Sequence, residues 1–144
     1  MIVTKLFRPE IKHDLEAQQI IRDWIADLRS DEFQQAHGAL RRTTASGKSH
    51  YCCLGVLCQR VNPNAWHITR TDEMTVEVWT DVVYGSSGGL LPGPLARRLY
   101  MDAAGKHFSN GEAVFSLTDA NDSGEYSFAK IADIIEAGLT DALG

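Results

Sequence analysis

Between residues 14 and 29, Ala17, Ile20, Ile21, Trp24, Ile25 and Leu28 recur at helical spacing, with Asp14 placed to cap the first turn. This predicts an amphipathic helix. Ser30 and Asp31 interrupt the stripe, and Phe33, Ala36 and Leu40 predict a second helical segment, weakened by Gly38. Residues 41–50 (Arg-Arg-Thr-Thr-Ala-Ser-Gly-Lys-Ser-His) are polar, basic and turn-prone, and read as an exposed loop. The following run, Tyr51-Cys52-Cys53-Leu54-Gly55-Val56-Leu57-Cys58, is the longest uncharged stretch of small and apolar side chains. With no solvent face to offer, it predicts a buried central helix to about Val61, stopped by Asn62-Pro63-Asn64, with a strand start at Tyr51 as the alternative.

Trp66 to Thr69 and Met74 to Tyr84 are β-branched, aromatic and alternating, and predict an antiparallel hairpin over about 65–84 turning at Asp72-Glu73. Gly85 to Gly89 reads as a flexible loop. Pro92 and Pro94 open a short helix with Leu95, Leu99 and Tyr100, closed by Gly105. Val114, Phe115 and Leu117 form a brief apolar element, and Asp119 to Gly124 a turn. Ser127 caps a final helix with Phe128, Ile131, Ala132, Ile135 and Leu139 on one side. The expectation is an α+β chain, a mainly helical single domain over 1–144 with a small antiparallel sheet.

At 144 residues, 44 % hydrophobic and 23 % charged, the composition suits one soluble domain with a sufficient core. No run approaches the length of a membrane span, and the first eight residues lack the pattern of a signal peptide, so a cytoplasmic location without membrane association is expected. Three cysteines, two adjacent, fit free buried thiols in a reducing compartment. The net charge of −5 is uneven. Residues 1–100 carry twelve Lys/Arg against eleven Asp/Glu, and residues 101–144 two against eight. The acidic C-terminal part disfavours direct DNA binding, and Lys130 alone faces Asp133, Glu136 and Asp141 on the final helix.

Gly47-Lys48-Ser49 ahead of a predicted helix has the residue types of a phosphate loop, but Arg42 stands where that loop needs glycine and no apolar strand precedes it. A looser arrangement remains: Arg41, Arg42, Gly47, Lys48, Ser49 and His50 form a local anion trap, cations holding the ligand and the helix start donating amides. Adjacent Cys52 and Cys53 followed by Cys58 do not reproduce the ligand spacing of a zinc knuckle. A thiol nucleophile would need one of these cysteines exposed beside a base such as His37, His50, His67 or His107. Asp119, Asn121, Ser123, Gly124, Glu125 and Ser127 resemble the calcium loop of EF-hand proteins, but Lys130 occupies the twelfth position, where a bidentate glutamate is required. No metal site, cofactor or catalytic residue is assigned.

Several blocks taken together carry a broader resemblance. They are Trp24 with Leu28-Arg29-Ser30, Gly38-Ala39-Leu40-Arg41, the Tyr51 to Cys58 run, Leu91-Pro92, and Asn121 to Gly124 followed by Ser127 to Glu136. In these blocks the chain resembles a group of small, mostly uncharacterised bacteriophage and prophage proteins. The resemblance implies a viral setting and brings no catalytic residues. The resulting expectation is a non-enzymatic phage accessory protein acting by binding, with counter-defence among its roles. It would sequester a small anionic, nucleotide-like ligand or block a host protein, and homo-oligomerisation is open. The alternatives are an acidic-surface inhibitor of a basic host protein and a thiol- or metal-dependent hydrolase.

Overall fold

The computed structural model describes residues 4–71, 74–109, 112–114 and 116–144. In chain order the elements are strand β1 (Thr4–Lys5), a 3-10 turn (Pro9–His13), helix α1 (Leu15–Arg29), strands β2 (Gln34–Gln35), β3 (Arg41–Thr44) and β4 (Ser49–Tyr51), helix α2 (Cys53–Val61), strands β5 (Trp66–Thr71), β6 (Met74–Asp81) and β7 (Gly85–Ser87), helix α3 (Gly93–Arg98), strands β8 (His107–Ser109) and β9 (Glu112–Val114), and helices α4 (Leu117–Asp122) and α5 (Phe128–Leu143).

The two long helices form where their patterns predict. Asp14 Oδ1 accepts the Ala17 N–H at 3.0 Å, meeting a donor that the first turn of α1 leaves without an intrahelical partner. Ser127 Oγ does the same for the Lys130 N–H at 3.2 Å at the start of α5. Their apolar stripes are buried and the helices pack on each other. The cysteine-rich run behaves as interior filling. Residues 53 to 58 of α2 are all buried, and Asn62 ends the helix. Trp24 Nε1 donates to the Cys53 carbonyl at 2.8 Å, tying α1 to α2 inside the core. Gly55 lets α2 approach the chain at Leu40, since a Cβ there would lie 1.9 Å from the Leu40 carbonyl oxygen.

The α+β class is correct, but the sheet is larger than a hairpin. Strands run β2-β4-β3-β6-β5, with β7 also on β6, and β2 pairs β4 in parallel while the other pairs are antiparallel. The expected hairpin is the β5–β6 pair, and its turn at Asp72-Glu73 lies outside the described residues. A second, three-stranded sheet runs β1-β8-β9.

Several local expectations are corrected. Phe33, Ala36 and Leu40 do not share a helix: β2 pairs with β4, the Ala36 N–H reaches the Tyr51 carbonyl at 2.7 Å, and Gly38 turns the chain at φ 76°. Residues 41–50 are a hairpin rather than a loop, β3 and β4 joined through Gly47 at φ 88°. The Gly85 to Gly89 stretch begins as β7, because β6 offers it an edge. The third helix ends at Arg98, well before Gly105, and the chain leaves it through Tyr100 at φ 60°. Val114 and Leu117 belong to β9 and α4 respectively, while Phe115 lies outside the described residues. The expected turn from Asp119 is mostly helix α4, capped by Ser116 Oγ on the Asp119 N–H at 3.1 Å.

Candidate functional site

The β3–β4 hairpin divides the predicted anion trap in two. Cross-strand register pairs Arg42 with His50 and Arg41 with Tyr51, and successive residues of a strand point to opposite faces. Arg42 and His50 therefore share one face of the sheet. Arg41, Thr43, Ser49 and Tyr51 share the other, together with Glu77 and Trp79 of β6. Thr43 and Ser49 confirm the pairing with their hydroxyls 3.3 Å apart. Lys48 is exposed at the turn, where its carbonyl accepts the Thr44 N–H at 2.8 Å.

On the first face Arg42 is anchored by its Nε to the His37 carbonyl at 2.9 Å. His37 itself donates from Nδ1 to the Asn121 carbonyl at 2.7 Å. No described carboxylate pairs with Arg42, in contrast to Arg29, Arg41, Arg60 and Arg98.

The Arg41 face has more structure around it. Glu77 is 6 % exposed, and its Oε2 accepts both Arg41 Nε and Thr43 Oγ1 at 2.7 Å. A carboxylate in such a place requires a cation and hydrogen bonds, and these two residues supply them. The bond to Nε leaves the two terminal nitrogens of Arg41 without an acceptor among the described residues. The guanidinium carbon lies 5.0 Å from the Trp66 ring centre and 5.7 Å from that of Tyr51. Tyr51 in turn meets Phe33 and Trp66 edge-on, at 5.3 and 6.1 Å between centroids. Trp66 is fixed by its Nε1 donating to Gln59 Oε1 at 2.8 Å. The result is a guanidinium fork held from behind by an acid and flanked by aromatic rings, able to take a carboxylate or phosphate with two parallel N–H bonds.

Glu77, Thr43, Phe33, Tyr51 and Trp66 were not among the candidate binding residues that the sequence offered. Glu77 carried the available signal. Strand alternation over 74–81 puts it on the same face as Trp79, so a cation from another strand had to meet it.

The helix start expected to supply amides is engaged elsewhere. The Gly55 N–H is directed to Cys52 Sγ at 3.4 Å and the Cys53 N–H to Asn121 Oδ1 at 3.1 Å. Gly47 and Lys48 lie in the hairpin turn and Ser49 opens β4, so this segment leads into that strand and not into α2. Burial pushes the Cys52 thiol up to about 12, and it raises Cys53 and Cys58 well above the ordinary thiol range. A small cavity of about 130 Å³ touches Cys52, Asp122, Thr118 and Gly38. Its Asp122 Oδ1 already accepts the Gly38 N–H at 2.9 Å and Asn121 Nδ2 at 3.1 Å.

The calcium-loop resemblance does not survive the fold. Asp119 and Asn121 lie on helix α4, and Asn121 is wholly buried as a hydrogen-bonding hub. Among the described residues no group of three or more His, Cys, Asp and Glu could share a metal ion. On the acidic helix, Asp133 and Glu136 both bind Arg29, at 2.7 and 3.0 Å, and Asp141 binds Lys5 at 3.0 Å. Among the described residues no helix is long and apolar enough to cross a membrane.

No curated protein and no solved structure matches the chain. A family model described as a domain of unknown function, DUF8296, matches residues 16–139, and the chain belongs to that family.

Proposed function

We propose that this protein is a non-enzymatic bacteriophage accessory protein that binds and sequesters a small anionic, nucleotide-like ligand, and that the ligand sits on the Arg41 face of the sheet. The observation that carries the reading is the Arg41 guanidinium, fixed through Nε by Glu77, with its outer nitrogens lacking an acceptor among the described residues and its carbon beside Trp66 and Tyr51. A phosphate or carboxylate takes the fork, and the neighbouring aromatic rings offer apolar contact to a planar base. Preorganisation supports it: the side chain most costly to immobilise is already held before the ligand arrives. The thiols support binding over a thiolate mechanism, since burial raises all three above the ordinary thiol range. The viral setting rests on the sequence blocks, and counter-defence by removal of a nucleotide signal is the role that such binding would serve.

Titration calorimetry with nucleoside mono- and diphosphates, and with inorganic phosphate, tests the reading. Saturable binding is expected for the wild type, weakened at least tenfold by Arg41→Lys and by Trp66→Leu. The double variant Arg42→Ala with Lys48→Ala alters the hairpin away from the Arg41 fork and is expected to bind as the wild type does. Loss of binding in that double variant alone would move the ligand to the other face. Unchanged binding in both Arg41→Lys and Trp66→Leu would remove the Arg41 site.

A further inference from the structure

Glu77 holds Arg41 in place and also cancels its charge. The two side chains are 19 % and 8 % exposed and lie 2.7 Å apart, so an incoming ligand meets an ion pair that is already neutral and largely out of water. Thr43, Ser49, Tyr51, Ile68 and Thr75, neighbours of the pair by register on this face, add no second cation. A monoanion on the fork leaves one charge uncompensated there, and a dianion leaves two in the same low-dielectric place. The pair therefore favours a singly charged group.

Beside the fork the strands present hydroxyls. Thr43 pairs in register with Ser49 of β4 and with Thr75 of β6, one row along from Arg41. Glu77 sets the polarity of this row. A carboxylate only accepts, so Thr43 gives its proton to Glu77 Oε2 at 2.7 Å, and across the 3.3 Å contact with Ser49 it is left as the acceptor. Ser49 donates to it, and what the half-buried Ser49 keeps for a ligand is its oxygen lone pairs. They suit a hydroxyl and repel a second phosphate. Trp66 stands in the row on the opposite side of Arg41, paired with Trp79. Ile68, two residues along β5 and opposite Glu77, is 63 % exposed, so apolar surface flanks the fork at Ile68 as well as at the aromatic rings.

We propose that the ligand of the Arg41 face is a ribonucleoside phosphodiester. Its singly charged phosphate takes the fork and one nucleoside lies beside Trp66 and Tyr51. The next nucleoside lies beyond the phosphate, against Ile68, with a ribose hydroxyl donating to Ser49 Oγ. The inference rests on the ligand-binding reading and narrows it from nucleotides in general to a molecule with a sugar on each side of its phosphate. A nucleoside monophosphate carries most of a second charge at neutral pH and has nothing beyond its phosphate, so it fills half of the site.

Titration calorimetry on the full chain with adenylyl-adenosine (ApA), its deoxy counterpart d(ApA) and AMP tests this, since contact with aromatic rings tolerates any base. The wild type is expected to bind ApA at least about tenfold more tightly than AMP, and about fivefold more tightly than d(ApA), the loss expected for one neutral hydrogen bond. Ser49→Ala should bring ApA down to the d(ApA) value while d(ApA), AMP and the Tm of the protein stay as in the wild type. Arg41→Lys should weaken all three ligands. AMP binding as tightly as ApA, in an Arg41-dependent manner, would overturn the phosphodiester assignment and leave the Arg41 site standing. Equal binding of ApA and d(ApA), or ApA affinity unchanged by Ser49→Ala, would overturn it at the sugar contact. Binding of none of the three would remove the Arg41 reading and this one with it.

Discussion

Asn121 of α4 accepts the Cys53 N–H through Oδ1 at 3.1 Å, so a side chain from one helix completes the first turn of another, 68 positions away. The same oxygen takes Gln35 Nε2 at 3.0 Å, and Nδ2 donates to the Ala36 carbonyl at 2.7 Å. One fully buried amide thus satisfies α2, the β2 strand and the turn after it. Replacing it by leucine would leave a buried N–H and a buried carbonyl unpaired. Asn121→Leu is expected to lower stability by at least about 2 kcal/mol in urea unfolding. A loss within about 0.5 kcal/mol, the range of an ordinary surface change, would show that the hub is dispensable.

Two glycines separate steric from conformational demand. At Gly55 a methyl group would collide with the Leu40 carbonyl oxygen at 1.9 Å, whereas at Gly47 nothing lies within 4 Å and only the φ of 88° resists substitution. Gly55→Ala should cost about 2–3 kcal/mol through forced separation of backbone. Gly47→Ala should cost about 1 kcal/mol. Equal effects in thermal unfolding would contradict the close approach of α2 to Leu40.

The cysteines predict both a reactivity and a pH dependence. Native protein treated with iodoacetamide at pH 8 should remain unmodified at Cys52, Cys53 and Cys58, and all three should react once unfolded. Their folded values lie above the ordinary 9.0, so the folded state holds these protons longer than the unfolded chain does. Stability from this source is complete below about pH 9 and falls as pH climbs from there toward the Cys52 value of about 12. Rapid native alkylation at any of the three would refute their assignment to the core.

At the acid end the sign reverses. The Ala17 N–H, with Tyr100 and Arg98 beside it, holds the Asp14 carboxyl below its usual 3.8, and Asn62 and the turn amides do the same for Asp81. Arg29 lowers Glu136 from 4.5. These groups support the fold above those ordinary values, and their support disappears as pH drops through the lowered folded ones. Asp14→Asn should therefore flatten the acid limb of a stability-against-pH curve below about pH 4. An unchanged limb would mean that the Asp14 contacts with Arg98 and Tyr100, at 2.7 and 2.9 Å, carry no proton linkage.

The Arg41 face shows why part of the proposed site was hidden in one dimension. Arg41 was singled out for its charge, but its partner Glu77 lies 36 residues away. Phe33 was assigned to a helical stripe, although it packs edge-on against Tyr51. Once β3 is known to pair with β6, the inward carboxylate demands its cation, and the aromatic neighbours follow from the register.

What the chain determined by itself was local. The 3.6-residue stripes and oxygen caps of α1 and α5, the burial of the central cysteine run and the β5–β6 pairing all arise from neighbours within a few residues, where periodicity and capping act directly. Tertiary structure decided the rest. Residues 34–35, 41–44 and 49–51 became strands because they pair with one another and with β6, and these hydrogen bonds outweigh the weak intrinsic preferences of a polar segment. The division of Arg41 from Arg42 follows from that pairing, since the register of a strand, and not the proximity of two residues along the chain, determines which face each side chain occupies.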